Sequence, residues 1–397
     1  MANRLNFYNP QFYANEALIW LQNRRGMYPR VYRAFERERR AFQLGDTINI
    51  RKPARFAAAN APNSAYQDLK TGTMQISLTN FKEVPFVVPD TEIAFGGQRL
   101  IDEHIGPAAD ALGDSLDQFL YALAANCPHT IDLPGSVAST MPATLASIRR
   151  IMVDNQVPPD GRPLHYLASP TTVERCLGSS AFTQWQGAGP TGAEAQASGT
   201  LGRKFGFDFF ESQNGPTIQA DSVSSVAGTL TTPAGTKNDT TISLNTSGAQ
   251  SAVMRKGMTV TIVHSDGSIG KYSVTADTAA SGNNWPNVPI SPRLRQDVTN
   301  GATWAFVATS ALAANLSYRG DLVFHPNAIA VCTVPLPEHG SDMGARVYTA
   351  QDPQTGLSLR ARLWFDSRNA QVGVILDMLF GGAMIDPDLA VRGIVRA

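Results

Sequence analysis

One apolar stripe at helical spacing dominates the stretch from Gly96 to Cys127. Its apolar residues recur every three or four positions, which is the spacing of one face of an α-helix. Proline does not fit the interior of an ideal helix, so Pro107 predicts a kink or a new helix start near Gly106. The stripe consists of Leu100, Ile101, Ile105, Ala108, Ala109, Leu112, Leu116, Phe119, Leu120 and Leu123.

The opposite face of this predicted helix is acidic and is expected to face solvent. A helix of about 45 Å with one apolar face needs a long flat partner, most simply a β-sheet. The simplest interpretation is that this segment is the core helix of an ordinary α+β domain. The acidic residues are Asp102, Glu103, Asp110, Asp114 and Asp117.

The N-terminal region predicts a short helix over residues 14–24 that buries Ala17, Leu18 and Leu21. Residues 26–42 then mix aromatic side chains with arginines, a pattern that can bind nucleic acid through phosphates and stacked bases. We favour an amphipathic helix with partial ion pairing here, and a weak, sequence-independent attraction to polyanions stays open.

Two alternating runs predict a pair of strands at residues 45–56 and 71–88. About fifteen residues without periodicity separate them, which is long for a connection inside a compact domain. The segment is either a surface loop or an extended hairpin that reaches another subunit, and we favour the hairpin.

The middle of the chain predicts mixed α and β elements. Residues 144–155 predict a helix with Leu145, Ile148, Ile151 and Met152 inward, and residues 164–168 a buried strand. Ser169 as N-cap and Pro170 at the first helical position predict the next helix. Residues 187–200 predict a loop, and residues 202–212 a strand.

The composition changes near Asp221, since residues 222–251 contain thirteen Ser and Thr. Short strands are predicted at 241–244, 258–263, 270–275 and 304–307, with turns at 256–257, 266–267 and 281–283. This pattern predicts a small all-β barrel or sandwich inserted into the surrounding α/β region.

The remaining chain predicts a sheet. Residues 321–337 predict a helix or turn that leads into a strand, and residues 356–394 predict alternating strands. In the first of these, Arg360 and Arg362 lie on one face. The other face holds Leu357, Leu359, Ala361 and Leu363, and these strands are the flat partner that the long helix needs.

A chain of 397 residues exceeds one average core, so two or more domains are expected. The net charge is zero, yet residues 1–56 carry eleven Lys and Arg against four Asp and Glu, a net +7. No apolar run is long enough for a transmembrane helix, and a signal-peptide pattern is absent at the start. The three widely spaced cysteines, Cys127, Cys176 and Cys332, predict buried thiols in a protein made in the cytoplasm.

No sequence pattern in the chain is typical of an active site. We therefore predict that the protein is not an enzyme, that it has no catalytic, cofactor-binding or metal-binding residues, and that it uses no cofactor. Ser115 lacks the second glycine of a nucleophile elbow, and residues 199–204 fail the spacing of a phosphate loop. Gly96-Gly97 and Gly381-Gly382 are interpreted as turn or cap residues, and Asp386 and Asp388 as solvated. The scattered histidines are His104, His129, His165, His264, His325 and His339.

The order of these elements resembles the major capsid (coat) protein of tailed bacteriophages, which has the Hong Kong 97-like fold. It is most similar to the coat proteins of short-tailed phages that carry an inserted β domain. The resemblance covers essentially the whole chain, although no single motif is diagnostic. It is carried by GRKFGFDFFES (202–212), VMRKGMTVTIV (253–263), DLVFHPNAIAVCTVPLPEH (321–339) and, most strongly, QDPQTGLSLRARLWFDSRNAQVGVILDMLFGG (351–382).

The resemblance implies an α+β fold divided into five parts. These are an N-terminal arm (1–43); an extended two-stranded loop (44–90); a peripheral domain with the spine helix (91–130 and 350–375); an axial domain (131–216, 319–349 and 376–397); and an inserted barrel-like β domain (217–318).

The resemblance also implies function and partners. The chain would assemble into hexamers and pentamers of an icosahedral head in the host cytoplasm and remain in the virion. A scaffolding protein and a portal are the implied partners, a decoration protein stays open, no membrane is involved, and the basic arm would touch packaged DNA without sequence preference.

The sequence departs from some relatives, because it lacks a long charged N-terminal helical segment. Lys70 and Lys82 lie in or beside the predicted loop, but nothing singles out a crosslinking pair. The alternatives are an encapsulin-like cargo shell of the same fold and a secreted polysaccharide-active enzyme. The enzyme would need paired catalytic carboxylates and usually a signal peptide, and neither is evident.

Overall fold

The computed structural model divides the chain into two compact units. The first unit comprises residues 1–117 and 329–385, and the second residues 118–328 and 386–397. The architecture is mixed α+β, as predicted. The structure describes residues 9–23, 26–33, 47–51, 73–89, 91, 101–133, 141–184, 190–215, 217–219, 227–230, 234–246, 248, 253–264, 266–306, 317–338, 345–352 and 356–395.

The helices and strands are numbered along the chain. The helices are α1 (Pro10–Asn23), α2 (Gly106–Ala122), α3 (Met141–Asp154), α4 (Pro170–Leu177), α5 (Ser180–Thr183) and α6 (Pro190–Ser198). The strands of the first half are β1 (Thr47–Arg51), β2 (Thr73–Ser77), β3 (Asn80–Pro89), β4 (Thr130–Leu133), β5 (Leu164–Ala168), β6 (Arg203–Lys204), β7 (Phe207–Glu211) and β8 (Thr217–Gln219).

The remaining strands are β9 (Ala227–Thr229), β10 (Thr241–Asn245), β11 (Val253–Met254), β12 (Thr259–Val263), β13 (Ile269–Val274), β14 (Thr278–Ala279), β15 (Asn284–Ser291), β16 (Thr303–Phe306), β17 (Ser317–Phe324), β18 (Ile329–Val334), β19 (Arg346–Gln351), β20 (Ser358–Asp366), β21 (Gln371–Met384) and β22 (Ala390–Val395). Single helical turns lie at Tyr28–Arg30, Ile101–Ile105, Leu123–Asn126, Pro326–Ala328 and Pro387–Leu389.

The first unit is built on a five-stranded antiparallel sheet. Strand β21 pairs with β18 and β20 and also with β3, while β19 pairs with β20. Leu359, Ala361 and Leu363 of β20 are buried, as the alternation predicts. The structure places α1 along β19 and β20, an association that the sequence pattern did not predict.

The long predicted helix is present, and its interruption lies where Pro107 predicts it. A π-helical turn over Ile101–Ile105 precedes α2, which begins at Gly106. Within α2 most of the apolar stripe is buried, with Leu112, Leu116 and Leu120 at most 2% exposed, while Phe119 is half-buried. Residues 96–100 of the predicted helix lie outside the described residues.

One residue of the acidic face was assigned wrongly. Asp117 is only 5% exposed, whereas the sequence placed it in solvent. Its carboxylate accepts the backbone N–H of Met27 at 2.9 Å. A buried carboxylate is tolerated when donors satisfy it, and these donors come from a segment ninety residues away in sequence.

The predicted hairpin is described only at its base. Strands β1 and β2 pair antiparallel, with Ile48 opposite Ile76 and Arg51 opposite Thr73. The predicted single strand at 71–88 is two strands, β2 and β3, that separate at residues 78–79. Residues 52–72, which carry the predicted reach to a neighbour, lie outside the described residues.

The second unit contains a seven-stranded sheet in the order β4-β22-β17-β5-β7-β6, with β8 on β17. Helix α3 begins earlier than predicted, at Met141, and buries Leu145, Ile148 and Met152. Ile151 is half-buried and packs against the same core, which confirms that it points inward. The predicted cap of α4 is confirmed, because the Ser169 side chain accepts the Thr172 N–H.

Two predictions for the second unit were wrong in detail, and a third was correct except at its start. The loop at 187–200 contains α6, in which Ala195 is the one buried residue among the described side chains of 194–198; its sequence lacks the apolar stripe that signals a helix. The strand at 202–212 is the β6–β7 hairpin, whose turn residues Phe205 and Gly206 have φ values of 53° and 87°. In 321–337, residues 321–324 continue strand β17, and the predicted turn lies after them, at Pro326–Ala328, where it leads into β18 as expected.

The inserted region forms a six-stranded sheet in the order β10-β15-β13-β12-β16-β9. All four predicted strands are present as β10, β12, β13 and β16. The longest strand, β15, was missed because Pro286 and Pro289 interrupt its alternation. Trp285 and Trp304 are fully buried here and pack edge to face, with ring centroids 5.9 Å apart.

Candidate functional site

The histidines of the chain lie apart from one another, and three of them contact one aspartate each. His104 stacks on Phe86, His264 is buried in the inserted sheet, and His339 lies outside the described residues. Within the part of the chain that the structure describes, no group of three or more His, Cys, Asp or Glu could hold a metal. The pairs are His129–Asp388 at 3.2 Å, His165–Asp208 at 3.3 Å and His325–Asp160 at 3.1 Å.

The glycine-rich stretch at 199–204 is structural. Gly199 and Gly202 have φ values of 71° and 62°, so both need the freedom of glycine. Lys204, which a phosphate loop would present to a ligand, is buried and donates to the Phe182 carbonyl. Burial lowers the pKa of Lys204.

Gly381 and Gly382 were placed wrongly, because both lie inside β21 and not in a turn or cap. A side chain at Gly381 would collide with the Ser77 backbone, so this glycine lets β2 approach β21. Ser115 is half-buried on α2, and Gly96 and Gly97 lie outside the described residues.

Asp388 was expected in solvent, but it is the centre of a polar cluster. Its side chain is 20% exposed and accepts two hydrogen bonds from Arg295 at 2.6 and 2.8 Å. Burial raises the pKa of Asp388, but the contacts with His129 and Arg295 outweigh it and lower the pKa below its usual value. The Asp386 carboxylate accepts the Asp388 N–H, so this turn is held from both sides.

A buried ion network crosses the sheet of the first unit. Asp377 is fully buried and accepts two hydrogen bonds from Arg360, at 2.9 and 2.8 Å. Arg362 lies 2.7 Å from the same carboxylate and donates to Glu83 on β3. The only sequence signal was a single charge within the apolar run VGVILDMLF.

Arg392 connects the inserted strands to the seven-stranded sheet. Its guanidinium is almost fully buried and donates to the Gly257 carbonyl and to the hydroxyls of Thr130 and Thr259. Burial lowers the pKa of Arg392. Because Thr130 belongs to β4 and Thr259 to β12, these polar contacts fix the inserted sheet to the rest of the second unit.

The arm that follows α1 is held by backbone contacts. Gly26 passes so close to the Asp117 carboxylate that a side chain at Gly26 would collide with it. Tyr32 then forms a bridge with β18, donating to the Ile329 carbonyl at 3.0 Å and accepting from Val331 at 3.1 Å. The basic residues from position 34 onward lie outside the described residues.

The base of the β1–β2 ladder packs in a small apolar cluster. Ile76, Ala330 and Ile385 are buried there, and Tyr32 and Ile48 pack against them. The ladder forms its own two-stranded sheet, separate from the five-stranded one. All three cysteines are free and buried, as predicted, and burial raises the pKa of Cys127 and Cys176 to about 12.

No family model matches this chain, and no curated protein matches it. Among solved structures, it is similar to one from Mycobacterium phage Che8, with 13% identity, a TM-score of 0.47, and coverage of 94% of this chain and 90% of that one. It is similar to the capsid of cyanophage P-SCSP1u, with 12% identity, a TM-score of 0.46, and coverage of 89% and 84%.

A virus-like particle from Pyrococcus furiosus is also similar, with 8% identity, a TM-score of 0.41, and coverage of 95% of this chain and 96% of that one. In the described part of the chain, no helix is both long and apolar enough to cross a membrane.

Proposed function

We propose that this chain is the major capsid subunit of a tailed bacteriophage, which assembles into hexamers and pentamers of an icosahedral head around double-stranded DNA. The observation that carries this proposal is the β1–β2 ladder. A two-stranded ladder without further packing is marginally stable in water, and the packing of this one is described at its base, around Ile76. Such an element gains stability when another subunit covers it.

In this proposal the ladder projects from the subunit. Its base is fixed in the cluster of Ile76, Ala330 and Ile385, and its register continues from there to the Arg51–Thr73 pair. The twenty-one residues between that pair, 52–72, are then available to overlap a neighbouring copy. Several moderate contacts of this kind retain a subunit strongly when they are engaged together.

The five-part division of the sequence completes the proposal. Residues 44–90 act as the extended loop, residues 91–130 and 350–375 as the peripheral domain, and residues 131–216, 319–349 and 376–397 as the axial domain. Residues 217–318 form the inserted domain of a Hong Kong 97-like capsid fold. A scaffolding protein and a portal are the proposed partners, and the virion is the final location.

Removing the projecting segment should abolish assembly and leave the fold intact. Because Arg51 and Thr73 are opposite each other, an Asn-Gly pair in place of residues 52–72 closes a two-residue hairpin without strain. We expect the full chain, expressed with its neighbouring genes, to form shells or capsomer rings in negative-stain electron microscopy, and the shortened chain to form neither.

The control is a chain of natural length in which residues 52–72 are scrambled, since it separates the loss of sequence from the loss of length. Unchanged circular dichroism of all three proteins shows that the fold survives. A full chain that stays monomeric under every co-expression condition overturns the proposal. Packaged DNA in the particles supports a phage head, whereas packaged enzyme supports an encapsulin-like shell.

The charge of the N-terminal region predicts an inward arm. Residues 1–56 carry a net +7, and each lysine or arginine that neutralises a phosphate releases a counterion. Replacing Arg37, Arg39 and Arg40 by glutamine should therefore reduce genome packaging and leave empty shells intact, as measured by the ratio of filled to empty heads. An unchanged ratio together with unchanged shell stability would contradict this placement.

A further inference from the structure

The outward face of the inserted sheet carries an exposed patch with almost no charge. The strand register places Thr229, Thr303, Val263 and Ile269 side by side in one row. The next row holds Ala227, Ala305, Thr261 and Lys271, because positions two apart on a strand share a face. We call these eight residues the threonine face.

The same sheet face is already used for packing farther along its strands. Thr259 of β12 and Ser273 of β13 lie on this face and are 6% and 0% exposed. Thr259 contacts Thr130, and the Ser273 hydroxyl donates to the Ala125 carbonyl. The chain therefore covers one half of this sheet face with its own residues. The threonine face is the other half, and it is exposed to solvent.

The threonine face combines a projection with a depression. Ile269 is 65% exposed at one side, next to Val263, which is 37% exposed. Small side chains line a shallow open depression on the other side, around Ala227, Thr303 and Ala305. Ile269 and Val263 therefore adjoin small side chains in one contiguous patch, and contiguous exposed apolar patches mark surfaces that bind protein.

We propose that the threonine face binds the threonine face of a second copy across a two-fold axis, with Ile269 of each copy seated in the depression of the other. A two-fold contact uses one surface twice, so it needs the projection and the depression on the same patch. It also brings charges near the axis close to their own copies, which disfavours charged residues at its centre. Lys271 is the single charged member of the patch; it lies on β13, two positions from Ile269, and does not line the depression.

The contact is weak on its own. Stable interfaces bury about 800 Å² on each partner, contributed by roughly 20–30 residues, and the threonine face has eight. It is therefore populated when copies are held at high local concentration, as multivalent assembly does. The inference stands on this patch alone and does not require the proposed capsid function.

Engineered cysteines test the contact directly. In the variant with Ile269→Cys and Ala305→Cys, the two sites of one chain lie on strands two apart, about 9–10 Å by strand spacing. Disulfides need Cα atoms within about 7 Å, so bonds within one chain are excluded. We expect concentrated protein with oxidised glutathione to give a disulfide-linked dimer at least about tenfold faster than the matched control.

The matched control carries Ile269→Cys with Val153→Cys, because Val153 is 64% exposed on α3 and lies outside the patch. Equal dimer formation in the two variants overturns the proposal. A second measurement avoids cysteines: Ile269→Arg should lower self-association in sedimentation velocity at high concentration, while Val153→Arg should not. Equal self-association in those two variants also overturns it.

Discussion

Replacing Asp377 by alanine should lower the free energy of unfolding of the first unit by about 3–5 kcal/mol, which is the range for breaking a buried ion pair on one side. Asp377 is fully buried, its two oxygens accept hydrogen bonds from Arg360, and Arg362 lies 2.7 Å from the same carboxylate. Its removal leaves the Arg360 guanidinium, itself 8% exposed, without its carboxylate inside the sheet. Urea unfolding followed by circular dichroism measures the loss.

Glu83→Gln is the control for this prediction. Glu83 belongs to the same network, but its side chain is 47% exposed, so its pair with Arg362 is screened by solvent. We expect it to lose less than about 1 kcal/mol. Replacing Arg360, Arg362 and Asp377 together by methionine should recover much of the stability, because apolar residues can replace a buried ion network. Equal losses for Asp377→Ala and Glu83→Gln would contradict the burial argument.

Asp321 should make the second unit more stable as the pH falls. It is fully buried and accepts hydrogen bonds at 2.9 Å from the Tyr166 hydroxyl and from the Ser169 N–H. Burial raises the pKa of Asp321 from 3.8 to about 6, although hydrogen bonds from Thr172 and Ser169 act to lower it. The buried carboxyl therefore favours its protonated form.

The sign of the effect follows from the higher pKa in the folded state. The folded chain binds the proton more tightly than the unfolded chain, so this contribution to stability is fully present below about pH 4. It is lost as the pH rises through about 6. Between about pH 4 and 7 the change amounts to roughly 3 kcal/mol.

Comparing the natural chain with Asp321→Asn isolates this group. The free energy of unfolding of the natural chain, minus that of the variant, should rise by roughly 3 kcal/mol as the pH falls from about 7 to 4. Asp388, whose pKa is lowered, has the opposite dependence but is common to both proteins and cancels. A flat difference for Asp321→Asn would refute the prediction.

The inserted sheet shows how much of a fold can be predicted from the alternation of apolar and polar residues. Four of its strands and its turns at Gly257, Gly267 and Gly282 were predictable, and all three glycines have positive φ values. Alternation and turn chemistry are local properties of a few residues, so they are visible in the sequence. Strand β15 was not predictable from the sequence, because two prolines interrupt its alternating pattern. In the folded chain its pairing with β10 and β13 stabilises it.

By itself, the sequence determined the elements whose causes are local. These are the α2 stripe and its start near Pro107, the Ser169 cap of α4, the buried thiols, the alternation of β20 and the order of parts that resembles a capsid protein. Each depends on residues within a few positions of one another, where spacing and capping chemistry act directly.

Only the tertiary structure decided where the buried charges lie. Asp117, Asp321, Asp377 and Arg392 all have charged or polar side chains of a kind that usually stays in solvent. Each is buried because its hydrogen-bond partners arrive from distant parts of the chain, as when Met27 donates to Asp117. A sequence window contains the charge but not those partners, so burial that depends on long-range satisfaction of polar groups appears only once the chain is folded.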